Sequence, residues 1–332
     1  MTAVPSQSVD RSRWLTASGW QALFRDRPII PLSILLVGLV VVFEVLRPGT
    51  VGLDWLGVTL RSAILLAILG AAQTLAMLTG GIDLSVGAVA SMSGFFVATL
   101  VGQQGLAVAI ILALAAAALA GLVTGIGVGV FRVHPLIMTL AMSLVVLGLA
   151  NVWQLEMVQT GAGVPREFRT IGIELLFDVL PYSLVVFVPI AALILLGLRR
   201  TGYGRMLYAI GDNPIAARLS GARPWQVLIV LYVISALLAG IAGFLIAGFA
   251  NAASVTLADR YVLPSVAAAV IGGTSILGGR GGYGGTIVGA LILTVADSLL
   301  TSLGYPEAVR QILFGSIIVL VAAAYARVTS DT

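Results

Sequence analysis

Long apolar runs, separated by short polar stretches, occupy most of the chain after residue 28. A transmembrane helix needs about 20 predominantly apolar residues, and most of these runs approach or exceed that length. The pattern therefore predicts an all-α, polytopic membrane protein with about ten transmembrane helices. The predicted spans are Ile29 to Leu46, Ser62 to Leu78, Leu84 to Val101, Leu106 to Val130, Pro135 to Trp153, Pro181 to Leu198, Trp225 to Phe249, Val262 to Leu277, Thr286 to Leu303 and Val309 to Tyr325.

The charged residues predict the orientation of these spans, because cytoplasmic loops of membrane proteins are enriched in Arg and Lys. Basic residues fall on one side: Arg11, Arg13, Arg25, Arg27, Arg132, the loop 199–223, Arg280 and Arg327. Acidic residues fall on the other: Glu156, Glu167, Glu174, Asp178, Asp259 and Glu307. With an even number of spans, both termini are cytoplasmic. The predicted parts are a tail over 1–28, one transmembrane domain over 29–327 and a tail over 328–332.

Two features predict departures from a simple bundle of straight helices. The run Val262 to Leu277 is short for a span, so we expect broken or re-entrant helices there. When the sequence is aligned with a copy of itself shifted by about 170 residues, the second span aligns with the seventh and the fifth with the tenth. Partners five spans apart point in opposite directions, which is the geometry of an inverted repeat.

The loop from Arg199 to Arg223 is the longest charged interruption between two apolar runs. Within it, Asn213 followed by Pro214 is a helix start, because the amide can accept from a free N–H and proline suits the first helical position. Gly221 supplies the stop. So short a helix is unstable alone in water and must dock against lipid headgroups or another protein.

Composition excludes several classes of function. Hydrophobic residues make up 59% of the chain and charged residues 10%, against about 25% charged in soluble domains. The net charge of +4 reflects membrane topology and predicts no nucleic-acid partner. Cysteine is absent and there is one histidine, so we expect no disulfide, no thiol nucleophile and no metal site.

The run Thr79 to Gly87 interrupts two apolar segments with paired glycines and Asp83. The simpler interpretation is a helix break in which Asp83 caps the next helix by accepting from the N–H groups of its first turn. The alternative is a gate or translocation path, since charge and small residues are concentrated at such breaks. A second glycine-rich run, Gly272 to Gly285, lacks the Gly-Lys-Ser/Thr ending of a phosphate-binding loop, so it predicts tight backbone packing or a cytoplasmic turn.

Polar groups within or beside the spans are candidates for a solute path. Serine and threonine in membrane helices usually bond to their own backbone or to neighbouring helices, so most carry little information. Asp297 differs, because a carboxylate at mid-membrane costs about 2.5–3.5 kcal/mol on insertion scales and should face a partner or a wet cavity. We expect no intramembrane Lys, Arg or His beside it. The candidate path residues are Gln73, Asp83, Ser85, Ser91, Asn151, Thr274 and Asp297.

Three motifs in order resemble the membrane permease subunit of bacterial ABC importers for monosaccharides, the branch with ribose, xylose, galactose and galactofuranose systems. They are TGGIDLSVGAVASMSG, RTGYGRMLYAIGDNPIAARLSGAR and VIGGTSILGGRGGYGGTIVGA. The resemblance extends from about Arg61 to Arg327. It implies a multi-pass protein of the inner membrane that performs no chemistry itself. Ile215 stands where the family signature has Glu.

The resemblance also implies partners. A cytoplasmic ATP-binding subunit would use ATP and Mg²⁺, a periplasmic protein would deliver the sugar, and a second permease, identical or related, would complete the path. The short helix would be the coupling helix that docks on the ATPase, through Asn213, Pro214, Ile215, Ala216, Ala217, Arg218, Leu219, Ser220 and Gly221. The chain itself would hold no cofactor, and membrane lipid would surround it.

Two other classes of function stay open on the residues alone. An ion-coupled secondary transporter would need ionisable groups at the midplane, which are scarce here. A membrane-embedded enzyme would need a cluster of acids, histidines or a nucleophile near one face. The loop Gln154 to Leu180 does gather acids with Arg166 and Arg169, but neither His nor Cys accompanies them, so we interpret it as a solvated surface.

Overall fold

A computed structural model describes residues 29–157, 163–176 and 179–330, with side chains described as far as residue 319. Its helices are α1 Ile29–Leu46, α2 Leu53–Leu78, α3 Val86–Gln104, α4 Leu106–Gly129, α5 Pro135–Met157, α6 Arg166–Ile173, α7 Ser183–Arg200, α8 Gly202–Asp212, α9 Pro214–Leu219, α10 Pro224–Ala250, α11 Val262–Ile271, α12 Tyr283–Ser302 and α13 Glu307–Ser330. A 3₁₀ turn, Asp259–Tyr261, precedes α11. Strands β1 Leu175–Leu176 and β2 Leu180–Pro181 pair antiparallel.

The predicted all-α membrane architecture is confirmed. Within the described residues, eight helices are long and apolar enough to cross a membrane: α1, α2, α3, α4, α5, α7, α10 and α12. The eighth predicted segment is the short α11, whose ten residues are only about 15 Å long and which ends at a glycine turn. That segment is therefore broken, as expected. The tenth predicted segment corresponds to α13.

Helix α10 lies at the centre of the molecule and packs against α2, α3, α4 and α6. Its contact with α4 is close because α4 presents glycines at four-residue spacing. A Cβ at Gly125 would lie 2.6 Å from the Ile229 Cα, and one at Gly129 would lie 2.8 Å from the Trp225 carbonyl oxygen. Helices in lipid gain little from burying apolar side chains against each other, so close backbone packing of this kind is a main source of their association.

The faces of α1, α5 and α7 that point away from this centre are apolar and exposed. Val37 is 63% exposed, Leu144 65% and Leu193 71%. Lipid tails are as apolar as these side chains, so such faces are stable in a bilayer. These three helices consequently form part of the lipid-facing periphery of the chain.

The central charged loop contains more helix than we predicted. We expected one short helix between Asn213 and Gly221, but the longer α8 precedes it, with Thr201 as its cap. The predicted tail 1–28 lies outside the described residues. The predicted C-terminal tail begins within α13, which continues to Ser330, and residues 331–332 again lie outside. The inverted repeat stays a prediction.

Candidate functional site

Helix α9 begins and ends at the residues that the sequence indicated. The Asn213 Oδ1 accepts hydrogen bonds from the N–H groups of Ile215 and Ala216, both at 3.0 Å, and Pro214 occupies the first turn. Gly221 follows the helix with φ +86°, a left-handed conformation that favours glycine. Local capping thus defines α9 at both ends.

The surface of α9 is unusual for so short a helix. Ala217 is buried, but Ile215 is 64% exposed and Leu219 85% exposed. These two side chains are four residues apart and therefore lie on the same face. Arg218 is also exposed, and its Nε donates to the Pro214 carbonyl oxygen at 3.2 Å. The helix presents an apolar face with a guanidinium beside it.

Helix α8 attaches α9 to the transmembrane part through two tyrosines. The Tyr203 hydroxyl donates to the Val227 carbonyl oxygen at 3.1 Å, and the Tyr208 hydroxyl donates to the Gly281 carbonyl oxygen at 3.0 Å. Burial raises the pKa of both phenols, against a smaller opposing effect of Arg199 on Tyr208. Both therefore stay neutral donors. Sequence reasoning missed these contacts because each joins segments far apart in the chain.

Four glycines form the contact between the end of α8 and the transmembrane part. We call Gly80, Gly211, Gly278 and Gly279 the glycine junction. The Gly279 N–H donates to the Leu78 carbonyl oxygen at 3.0 Å. A Cβ at Gly211 would collide with that same carbonyl oxygen, and one at Gly278 would lie 2.9 Å from the Gly80 nitrogen. Backbone packs directly on backbone, which is the tight packing that the glycine-rich run predicted.

The break between α2 and α3 is held by Asp83, but not as we predicted. Its Oδ1 accepts from the Ser85 N–H at 3.0 Å and from the Ser85 hydroxyl at 2.6 Å. Its Oδ2 accepts from the Ser235 hydroxyl of α10 at 2.6 Å. Helix α3 begins only at Val86, so the carboxylate does not reach the N–H groups of its first turn. The capping prediction was wrong, because the carboxylate bonds instead to Ser85 before the helix and to Ser235 on α10.

Residues 80–85, which we call the buried loop, are also held from α2 and α5. The Gln73 Nε2 donates to the Asp83 carbonyl oxygen at 2.7 Å, and the Asp83 N–H donates to the Gln73 Oε1 at 3.2 Å. The Thr139 hydroxyl donates to the Ile82 carbonyl oxygen at 3.0 Å. Side chains thus satisfy backbone groups that a helix would have paired internally, which non-helical backbone at membrane depth requires.

The structure brings together only three of the seven predicted path residues, Gln73, Asp83 and Ser85. Ser91 lies elsewhere, where its hydroxyl accepts from the Ala258 N–H at 2.9 Å, and Thr274 is buried in the glycine turn. Asn151 is exposed on α5, and its amide donates to the Leu147 carbonyl oxygen one turn back. Asp297 lies on α12, at the end of the domain far from the buried loop. The path assignment itself stays a prediction.

The expectation that no basic residue accompanies Asp297 was wrong. The Arg310 Nη1 of α13 donates to both carboxylate oxygens of Asp297 at 3.0 Å and to the Thr301 hydroxyl at 2.9 Å. The Arg310 Nη2 pairs with Glu307. Arg310 occupies the first turn of α13. In the sequence, an arginine at that position is typical of the boundary of a transmembrane span. Its pairing depends on how α12 and α13 meet, which no local pattern reveals.

A cavity of about 240 Å³ adjoins this ion pair. Leu78 and Gly279 meet beside α8, so α2 ends and α12 begins near the α9 end of the domain. Asp297 and Ser62 lie towards the opposite helix ends, and the cavity is therefore at the end of the domain opposite α9. Its lining residues are Ser62, Leu66, Phe249, Arg260, Tyr261, Pro264, Leu293, Thr294, Asp297, Glu307, Arg310 and Phe314.

Within the described residues, no group of three or more His, Cys, Asp or Glu side chains is arranged to hold a metal ion. Polar side chains instead hold the buried loop and form the ion pair at the cavity.

Comparison with known families gives one match over most of the chain. Residues 56–322 match the family described as branched-chain amino acid transport system / permease component. The match includes the buried loop, α9 and the cavity. Every element of the candidate site thus belongs to the matched region.

Several curated proteins are similar to the chain along nearly its whole length. The ribose import permease protein RbsC of Escherichia coli K12 is 34% identical over 319 residues, 95% of this chain and 97% of that protein. The fructose import permease protein FrcC of Rhizobium meliloti is 32% identical over 302 residues, 89% and 84% of the two chains. The galactofuranose transporter permease protein YtfT of Escherichia coli is 32% identical over 264 residues, 79% and 76%. No solved structure matches the chain significantly.

Proposed function

We propose that this chain, which belongs to the branched-chain amino acid transport system permease family, is the membrane subunit of an ABC importer for a monosaccharide. Family membership makes it a transport permease rather than an enzyme. The import permeases for ribose, fructose and galactofuranose, each at least 32% identical to it, support the sugar assignment. The observation that carries the proposal is α9, a locally capped helix whose apolar face no described residue covers.

In this proposal α9 is the coupling helix. The segment from Asn213 to Gly221 docks on the cytoplasmic ATP-binding subunit, with Ile215 and Leu219 in an apolar cleft and Arg218 at its rim. Exposed apolar side chains at four-residue spacing are the pattern by which a helix binds in a groove. The ATP-binding subunit holds ATP and Mg²⁺ and supplies the energy of transport.

The glycine junction transmits the movement of α9 to the transmembrane helices. At Gly211 and Gly279 there is no side chain between the backbones that could absorb a displacement by changing rotamer. Close-packed elements of this kind transmit strain. A shift of α8 and α9 would therefore move Leu78, at the end of α2, and the loop before α12 together.

The buried loop is the element that such a shift would move first, because it follows Leu78 directly. Among the predicted path residues, Gln73, Asp83 and Ser85 hold this loop, and Ser91 and Thr274 lie on the elements beside it. We assign the first three to positioning the loop at the edge of the solute path. Asn151 and Asp297 would contribute from other parts of the domain.

The complete importer contains further chains. A second permease, identical or related, forms the other wall of the path, and a periplasmic sugar-binding protein docks at the end opposite α9. Both termini lie in the cytoplasm and lipid covers the exposed faces of α1, α5 and α7. The positive-inside distribution of arginine supports this orientation.

The proposal is tested by purifying the tagged chain from its native membrane in mild detergent. We expect an ATP-binding polypeptide and ATP hydrolysis to co-purify with it. Leu219→Glu places a charge in the docking face and should release the ATP-binding subunit, with at least a tenfold loss of affinity for a buried unpaired charge. The control is Arg200→Gln, which lies on the same side of the protein but outside α9.

Two results would contradict the proposal. One is retention of the ATP-binding subunit by the Leu219→Glu variant at the wild-type ratio. The other is purification of the wild-type chain alone, with solute uptake driven by an ion gradient in sealed vesicles, which would support a secondary transporter.

A further inference from the structure

The cavity opposite α9 is a polar feature that the coupling mechanism does not use. It lies between the outer parts of α2, α11, α12 and α13, beside the 3₁₀ turn. Two guanidinium groups and two carboxylates line it, from Arg260, Arg310, Asp297 and Glu307. Formal charge in the cavity therefore balances, so it suits a neutral polar solute better than an ion.

Aromatic side chains form the other part of the lining. Phe249, Tyr261 and Phe314 come from three different elements and line the cavity together with the charged groups. The Arg260 guanidinium lies 5.0 Å from the centre of the Tyr261 ring, and its Nη2 donates to the Tyr261 hydroxyl at 3.2 Å. The guanidinium and carboxylate groups can hydrogen-bond to the hydroxyls of a solute, and the aromatic rings can pack against its C–H groups. The lining therefore suits a solute that carries both.

Several polar groups in the cavity keep unused hydrogen-bonding capacity. The Arg310 Nε is buried and has no acceptor among the described residues. Asp297 is 40% exposed on its side chain, and each of its oxygens can accept more than the single bond from Arg310. Arg260 has several N–H donors beyond the one used by Tyr261. A solute with adjacent hydroxyls could bond to Asp297 and Arg260 without breaking the ion pair.

We propose that this cavity is a transient binding subsite for a neutral polyol the size of a single sugar ring. The proposal rests on the importer function above and adds a site in the permease itself. The volume of about 240 Å³ is below the range of about 300–1,000 Å³ found for drug-sized ligands, which favours a monosaccharide over a larger saccharide. Arg260 and Asp297 contact the hydroxyls directly, and Arg310 positions Asp297.

The competing explanation is that the ion pair only ties α12 to α13. Arg260 separates the two explanations, because it is exposed and donates to the Tyr261 hydroxyl rather than to Asp297. Arg260→Gln keeps a hydrogen-bond donor but removes the positive charge and most of the N–H donors of the guanidinium group. Arg169→Gln is the matched control, since Arg169 is an exposed arginine of α6 on the same side of the protein and does not line the cavity.

The experiment uses the complete importer reconstituted in proteoliposomes, with radiolabelled D-ribose and D-fructose as probes. We measure ATP hydrolysis, the initial rate of uptake and, without the binding protein, equilibrium retention of each sugar by the purified complex. Arg260→Gln and Asp297→Asn should each reduce uptake of the transported sugar about tenfold and abolish retention, with assembly and ATP hydrolysis unchanged. Arg169→Gln should resemble wild type.

Other outcomes overturn the proposal in distinguishable ways. Wild-type uptake and retention in Arg260→Gln would remove the subsite and leave the importer function intact. The exchange D297R/R310D reverses the polarity of the pair between residues 297 and 310 and removes the pair between Arg310 and Glu307, so full recovery of uptake would show that the pair with Asp297 is only structural. A wild-type complex without ATP-dependent uptake of either sugar would overturn the importer function for these sugars and the subsite with it.

Discussion

The two ends of the transmembrane domain are built by opposite means. At the α9 end, three chain segments meet through glycine backbone, and a Cβ at Gly211 has no room. At the opposite end, helices meet through long charged side chains around a cavity, with Arg310 bonded to Asp297, Thr301 and Glu307. Backbone contacts without side chains transmit displacement, whereas charged side chains can change rotamer and exchange partners. In the proposed mechanism, the α9 end would receive the movement of the ATP-binding subunit, and the opposite end could open by exchange of side-chain partners.

The largest effect is expected when a substitution adds a side chain in the glycine junction. Gly211→Val places methyl groups against the Leu78 carbonyl and the Gly279 nitrogen, so α8 must move away from α2. Overpacking costs about 1–3 kcal/mol or more, and we expect sugar uptake to be lost while ATP hydrolysis continues uncoupled. Uptake and hydrolysis are measured in the same proteoliposomes.

Gly197→Val is the control for this variant. Gly197 lies in α7, and a Cβ there would meet no atom of the described structure within 4 Å. We therefore expect coupled uptake close to wild type. If Gly211→Val also transported normally, backbone packing at this end would not be the route by which α9 moves the domain.

The next effect in size concerns the carboxylate that ties the buried loop to α10. Asp83→Ala leaves the Ser85 and Ser235 hydroxyls without their acceptor, at a cost of about 1–3 kcal/mol for each buried unsatisfied group. We expect a lower midpoint of thermal unfolding in detergent. Ser235→Ala alone should have a smaller effect, because it removes one donor of the carboxylate.

The double variant D83A/S235A tests whether Asp83 and Ser235 stabilise the protein through the same hydrogen bond. If the two residues act through their shared hydrogen bond, the double variant should be more stable than the sum of the single changes predicts. Strict additivity would mean that Asp83 and Ser235 stabilise the protein independently, and the loop would then not be held from α10.

The smallest expected effect is at the cap of α9. Asn213→Ala removes the acceptor of two N–H groups and should destabilise α9 by about 0.5–2 kcal/mol, whereas Asn213→Gly should cost only a few tenths. Affinity for the ATP-binding subunit should follow the same order. Equal affinities for wild type and Asn213→Ala would indicate that the partner, and not the cap, determines the conformation of α9.

The accuracy of the sequence predictions depended on the distance over which each interaction acts. Asn213, Pro214 and Gly221 determine α9 through contacts within a few residues, and the structure has that helix where the sequence placed it. Asp83 looked like a cap because paired glycines precede it and Asp is common at the start of a helix. Its partner on α10 is far away in the chain, and a hydroxyl on a neighbouring helix cannot be recognised from local pattern.

The same reason explains the two larger omissions. Arg310 was missed as the partner of Asp297 because it lies in the first turn of the next helix, where an arginine normally marks a boundary. Helix α8 was missed because its stability depends on docking: Tyr203 and Tyr208 bond to backbone of α10 and of the loop before α12.

By itself, the sequence determined that the chain is a helical membrane protein, where most of its spans lie, and that a short capped helix interrupts them. Apolar length and local capping decide these features, and both act over a single turn or span. The tertiary structure alone decided which polar groups meet: Asp83 with Ser235, Asp297 with Arg310, and glycine backbone with the end of α2. These contacts depend on helix crossing and register, which are set by packing across the whole domain.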